Sequence, residues 1–278
     1  MRNLNYLNSI EIDEYNLIKN SKQYDMKNRL DQIQVLVVTN YNEYVNNFST
    51  IQQIGPSTFN NQESTDLRSC YKIKTAARDS LLARIVNNQT THFKHICPYC
   101  LLYPRTTYDH YIPEQAYPVF CVLPKNLIPC CITCNGKKLQ YWRENGSRAI
   151  LHYYNDLIPQ TQFLTGSLAF NAQSVPYVSY QINQPAGVSN AIFSVITYHF
   201  NRLELIDRYE KHLDLVVSDI VDDVQSNRQE FGAFLTTQNI ANIILNKANR
   251  YKQHYGNNYW KSITMDLLGN SQQFLATL

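Results

Sequence analysis

The chain has 278 residues, 44% of them hydrophobic and 17% charged, a balance that excludes a disordered chain and describes an ordinary globular protein. No stretch approaches the roughly 18 consecutive apolar residues of a bilayer span, and no apolar core follows the opening Met1-Arg2-Asn3-Leu4-Asn5-Tyr6. A soluble cytoplasmic protein with no membrane partner is therefore expected, and the net charge of +3 is too small by itself to mark a nucleic-acid binder.

The spacing of Leu30, Ile33, Val37, Tyr41, Tyr44 and Phe48 predicts one long amphipathic helix from Asp25 to Asn47. Gly55 to Glu63 breaks that pattern with Gly, Pro, Ser and Asn and reads as a loop. A second helix is expected over Ser69 to Asn87, burying Ala76, Leu81, Leu82 and Ile85. From His92 to Arg148 the residues Pro104, Pro113, Pro118, Pro124 and Pro129 exclude a continuous helix. Thr106 to Tyr111 and Asn126 to Pro129 read there as strands, and Asn135 to Trp142 as a helix. Alternation predicts further strands at Tyr177–Ile182 and Ile192–Ile196. Helix resumes near Asn201, where Leu205, Tyr209, Leu213, Val216, Ile220 and Val224 make one apolar face. Another is expected from Thr237 to His254 with Gly256 as its C-terminal cap, and a last one from Asn258 to Gly269. The expected fold class is α+β: a helical region over residues 1–90, a cysteine-bracketed core over 91–148, and a mainly helical region with a small sheet over 149–278.

The bracket is formed by Cys97-Pro98-Tyr99-Cys100 and Cys131-Ile132-Thr133-Cys134. Two C-x-x-C knuckles in one chain predict a structural zinc, because four thiolates close a tetrahedral shell and leave no open position. Only the spacing prefers Cys131 over its neighbour Cys130 as ligand. Cys70, Cys121 and Cys130 are expected to be buried as small apolar residues. Positive charge collects around the bracket. Between residues 91 and 148, Lys94, Arg105, Lys125, Lys137, Lys138, Arg143 and Arg148 face only Asp109, Glu114 and Glu144, a net +4 that leaves −1 for the rest of the chain. A phosphate backbone would need charge in that place. Within or beside the bracket stand Asp109-His110-Tyr111-Ile112-Pro113, Asn126-Leu127 and Asn135. An Asp, a His and two Asn are a set suited to metal-assisted phosphodiester cleavage. His92, His95, His152, His199, His212 and His254 have no such context and are expected to be structural.

The order Asp109-His110-x-x-Pro113, Asn126-Leu127 and Cys131-x-x-Cys134-Asn135 resembles the HNH nuclease family, over about residues 92 to 145. The resemblance implies a ββα-metal core, in which a hairpin and a helix grip one divalent cation. It makes His110 the general base for the attacking water and gives Asp109 and Asn135 the catalytic Mg²⁺ or Mn²⁺. Asn126 would tie the hairpin loop together and orient His110. Lys137, Lys138 and Arg105 become candidates for phosphate contacts. Asn135 stands where the family's name has His, an exchange that keeps a metal-ligating atom. The implied activity is a metal-dependent endonuclease, acting on DNA rather than RNA and leaving 5′-phosphate and 3′-hydroxyl ends. The wording Asp-His-Tyr-Ile-Pro-Glu and Asn-Leu-Ile-Pro-Cys-Cys looks like the HNH effectors of bacterial antiphage systems, such as the Septu type, which work beside an ATPase partner. Two other readings stand next to this one: a zinc-stabilised nucleic-acid-binding module without catalysis, and a protein whose flanking regions dock a partner.

Overall fold

Among the described residues five α-helices precede Cys97, the first cysteine of the bracket: α1 (Glu11–Asn20), α2 (Tyr24–Gln32), α3 (Gln34–Asn46), α4 (Asn61–Lys72) and α5 (Ala76–Asn87). The computed structural model describes every residue except Ser57, Ala233 and Phe234, and only the backbone of Phe231. The long helix expected over Asp25–Asn47 is two helices, broken at Ile33, whose φ of −97° and ψ of 4° leave the helical region. Leu30, Ile33, Val37, Tyr41 and Tyr44 are nevertheless buried as expected. The helix expected over Ser69–Asn87 is also two. Ile73 is extended, and Thr75 caps α5 by accepting from the Arg78 N–H at 3.2 Å. This start leaves Ala76 exposed while Leu81, Leu82 and Ile85 are buried. The loop expected over Gly55–Glu63 ends at Asn60, where a capping box with Glu63 starts α4; its Ser57 lies outside the described residues.

The bracketed segment supplies β1 (Thr107–His110), β2 (Leu127–Cys130) and α6 (Ile132–Lys138), then two-residue strands β3 (Arg143–Glu144) and β4 (Ser147–Arg148). β1 and β2 are antiparallel, with Thr107 opposite Cys130 and His110 opposite Leu127. The helix α6 starts and stops earlier than expected. Cys131 caps its start, and Leu139 at φ 49° ends it. Residues Asn3–Leu157 form one compact unit. Within it α3 and α4 pack on the 3₁₀ turn Pro118–Phe120 in the loop between β1 and β2. Phe120 lies edge-on to Tyr44, with ring centroids 5.0 Å apart, and is stacked on Tyr41 and Tyr117. The helical layer therefore holds the loop that follows His110.

The second unit comprises Ile158–Leu278 with Met1–Arg2. It contains β5 (Leu164–Phe170), β6 (Pro176–Ile182), α7 (Asn190–Arg202), α8 (Leu205–Glu210), α9 (Leu213–Phe231), α10 (Thr237–Tyr255), α11 (Trp260–Gly269) and α12 (Gln272–Leu275). The hairpin β5–β6 packs on α11 and α8. Buried Asn258 accepts the Phe163 and Leu164 N–H groups at 2.7 and 2.9 Å and so anchors the start of β5. The strand expected at Ile192–Ile196 is the first half of α7: Ser189 caps that helix, and Val195, Ile196, His199 and Phe200 form its buried face. Gly256, at φ 88°, caps α10 as expected. The class is α+β, and among the described residues no helix is long and apolar enough to cross a membrane.

Candidate metal centre and catalytic site

The four bracket cysteines are all buried, and their sulfurs lie within 4.8 Å of one another. Cys100 and Cys131 Sγ are 3.9 Å apart, close to the roughly 3.8 Å that a tetrahedral ion with bonds of about 2.3 Å requires. Each knuckle is built by backbone donors. Leu101 turns the chain at φ 52°, so that the Leu102 N–H points at Cys100 Sγ (3.5 Å). In the second knuckle the Cys134 N–H donates to Cys131 Sγ (3.3 Å). Hydrogen bonds from the three neighbouring thiols hold Cys131 well below the usual thiol range, while burial pushes Cys97 up. Thiolates packed this closely repel one another, and a dication relieves that repulsion. The cluster can hold a metal such as zinc, and the donor set fits it. Cys131, not Cys130, joins the cluster, while Cys70, Cys121 and Cys130 are buried outside it.

At the opposite end of the hairpin, His110 closes β1. Its Nε2 lies 3.0 Å from the Cys121 carbonyl. A carbonyl only accepts, so Nε2 carries the proton of the neutral ring and Nδ1 keeps the lone pair. The ring is held edge-on by Tyr71 at the end of α4, with centroids 4.5 Å apart. Nδ1 faces Glu114 Oε2 at 4.0 Å, while Glu114 Oε1 pairs with Lys72 Nζ at 3.1 Å. Burial lowers the His110 pKa below its usual 6.5, with Glu114 opposing, which keeps the imidazole neutral near pH 7.

Asn126 is fully buried and ties the loop. Its Oδ1 accepts the Ile112 N–H at 2.7 Å, and its Nδ2 donates to the Ile112 and Phe120 carbonyls at 3.1 and 3.2 Å. Its own carbonyl takes the Tyr111 N–H at 2.8 Å, fixing the residue after His110.

Asp109 departs from expectation. It is 2% exposed, with Oδ1 2.9 Å from the Lys138 ammonium and Oδ2 accepting from the Tyr99 hydroxyl at 2.7 Å. Each oxygen already has a protein partner, and the buried Lys138 ammonium repels a second cation, so a divalent ion does not fit beside this carboxylate. Lys138 is 0% exposed and also donates to the His110 carbonyl at 3.0 Å, so its ammonium binds protein rather than phosphate. Lys138 follows Cys134 by a four-residue step, which puts both on the inward face of α6. Asn135 and Lys137 are half-buried on the same helix. Arg105 precedes β1 at the end opposite His110, and its Nε donates to the Lys94 carbonyl, so it does not join the His110 group. Tyr71, Lys72, Glu114 and Cys121 surround His110 although no motif singles them out. The first two reach it through the packing of α4, and the other two through the folding of the loop.

No protein-family model matches the chain, and no solved structure matches it. A curated protein, Protein ea31 of Escherichia phage lambda, is 27% identical over 188 residues, which cover 64% of this chain and 62% of the phage protein. The chain thus spans less than two thirds of that relative's length, and the relative's name states no activity.

Proposed function

We propose that the chain is a nuclease that hydrolyses phosphodiester bonds in DNA, with His110 as general base. One observation carries the reading: Nε2 is pinned on the Cys121 carbonyl at 3.0 Å, which leaves Nδ1 as the free basic nitrogen. Further support comes from the order β1, β2, α6 and from the Asn126 tie, both of which the HNH resemblance implies. Nδ1 takes a proton from water as the water oxygen attacks phosphorus. The bond from phosphorus to the 3′ oxygen breaks, and that oxygen takes a proton from solvent, leaving 5′-phosphate and 3′-hydroxyl ends. Lys72, 58% exposed, brings positive charge beside Glu114 for the phosphate. The zinc that the four cysteines fit supplies folding rather than chemistry. The divalent cation implied at Asp109 does not fit there, because Lys138 and Tyr99 hold both oxygens, and no step is assigned to it.

The same buried pair favours a second reading, a zinc-stabilised module that binds nucleic acid without cutting it, since protein charge fills the seat expected for the cation. Supercoiled plasmid, incubated with wild type and His110→Ala with and without added Mg²⁺, separates the two. Nicking by wild type that His110→Ala loses supports the nuclease. Equal plasmid retardation by both proteins, with no nicking by either, sinks it and favours the module.

A further inference from the structure

The loop between β1 and β2 gathers a second set of metal-binding atoms, separate from the four cysteines. His110 Nδ1 lies 4.0 Å and Cys121 Sγ 3.9 Å from one oxygen, Glu114 Oε2. The three ligand atoms are all within 4.8 Å of one another. The other polar atom of each ionisable partner is engaged elsewhere, Nε2 on the Cys121 carbonyl and Oε1 on the Lys72 ammonium. Three donors therefore converge on one point. The His110 and Glu114 side chains are 11% and 14% exposed and Cys121 is buried.

We propose that His110, Glu114 and Cys121 form a binding site for a thiophilic divalent ion of the zinc class, with a fourth position open to water. An imidazole nitrogen, a carboxylate oxygen and a thiolate suit zinc or cobalt and not Mg²⁺ or Ca²⁺, which take oxygen ligands. Four-coordinate bonds of about 2.0–2.3 Å set such ligand atoms about 3.3–3.5 Å apart. The two contacts to Glu114 have to close by about half an ångström each, and the His110–Cys121 separation, which is within 4.8 Å, by at most about 1.3 Å. On binding, the Cys121 thiol gives its proton to solvent, and thiolate and carboxylate together neutralise the dication. One consequence rests on the nuclease reading: the ion takes the Nδ1 lone pair that the general base uses, so filling this site switches hydrolysis off.

The test uses the full chain, dialysed with zinc in excess and analysed for bound metal, beside Cys121→Ser and Glu114→Gln. Wild type is expected to hold two zinc ions and each variant one. With cobalt as the probe, the thiolate charge-transfer band of Cys121→Ser should be weaker by about one fifth, four cysteine bonds remaining of five. One zinc on wild type, or two on both variants, overturns the site, and if Cys121→Ser does not fold, Glu114→Gln decides. Wild-type nicking should fall as the second zinc fills, and a constant rate overturns the switch. A wild type that never nicks overturns the nuclease reading instead, while the zinc count still decides the site.

Discussion

Replacing Lys138 with Met keeps a long apolar stem and removes the ammonium 2.9 Å from Asp109. Two unit charges at that distance attract by about 6 kcal/mol at an effective dielectric of about 20, and the desolvation of both groups offsets part of this. Removing one partner strands the other, at a cost of about 3–5 kcal/mol. Here the stranded carboxylate would keep only the Tyr99 hydroxyl, and the His110 carbonyl would lose a donor. Urea and thermal unfolding followed by Trp142 fluorescence in a Trp260→Phe background reports on this unit alone, since Trp142 is buried in it. The midpoint should fall by roughly 10 °C or more. The double variant Asp109→Leu with Lys138→Met should recover most of the loss, because an apolar pair strands no charge. A loss below about 1 kcal/mol for Lys138→Met, or a double variant as unstable as the sum of the singles, would refute the reasoning. So would Mg²⁺ that stabilises wild type as strongly as Lys138→Met, since the ammonium would then not hold the cation's place.

Chelation of the zinc should unfold the bracket cooperatively and expose Trp142, because the segment's elements are only two to seven residues long; unchanged fluorescence with zinc removed would contradict a structural role. Asn126→Ala removes the partner of the Ile112 N–H and of the Ile112 carbonyl in the core, while the Phe120 carbonyl keeps the Leu123 N–H, and should cost about 2–4 kcal/mol. Urea midpoints read that cost, and an unchanged midpoint would show that the loop holds without the tie. With His110 as the proposed base, nicking would require its neutral form, and burial lowers its pKa from 6.5. The rate should therefore fall to half its plateau only below pH 6.5, as pH drops through the lowered value. A half-maximal rate above pH 6.5 would contradict this assignment.

The cysteine cluster is legible in the sequence because its ligands come as two local pairs whose spacing alone forms each knuckle. The hairpin is legible for a similar reason: prolines bound short extended pieces, and Asn126 stands at the start of one. Lys138 is harder to read. Lysines at the end of an exposed-looking helix suggest solvent, and only the four-residue step from Cys134 betrays the inward face. The partners of His110 are less legible still. Tyr71 and Lys72 arrive from a helix nearly forty positions upstream, and Glu114 owes its place to a loop with no regular period. The pattern Ile-Phe-Ser-Val-Ile at 192–196 fits both a strand and the buried face of a helix. Ser189 decides it, because a cap three residues before Ile192 starts a helical ladder. The breaks at Ile33 and Thr75 interrupt runs that keep helical spacing on both sides, so periodicity alone passes over them.

His110 carries the proposed chemistry, and the most direct measurement is the nicking rate per chain in single turnover for wild type and His110→Ala, each holding one zinc per chain. Loss of a general base predicts a rate lower by at least about 100-fold, with the bound zinc of the four-cysteine cluster unchanged. Equal rates for the two proteins would contradict the assignment of His110 as the base.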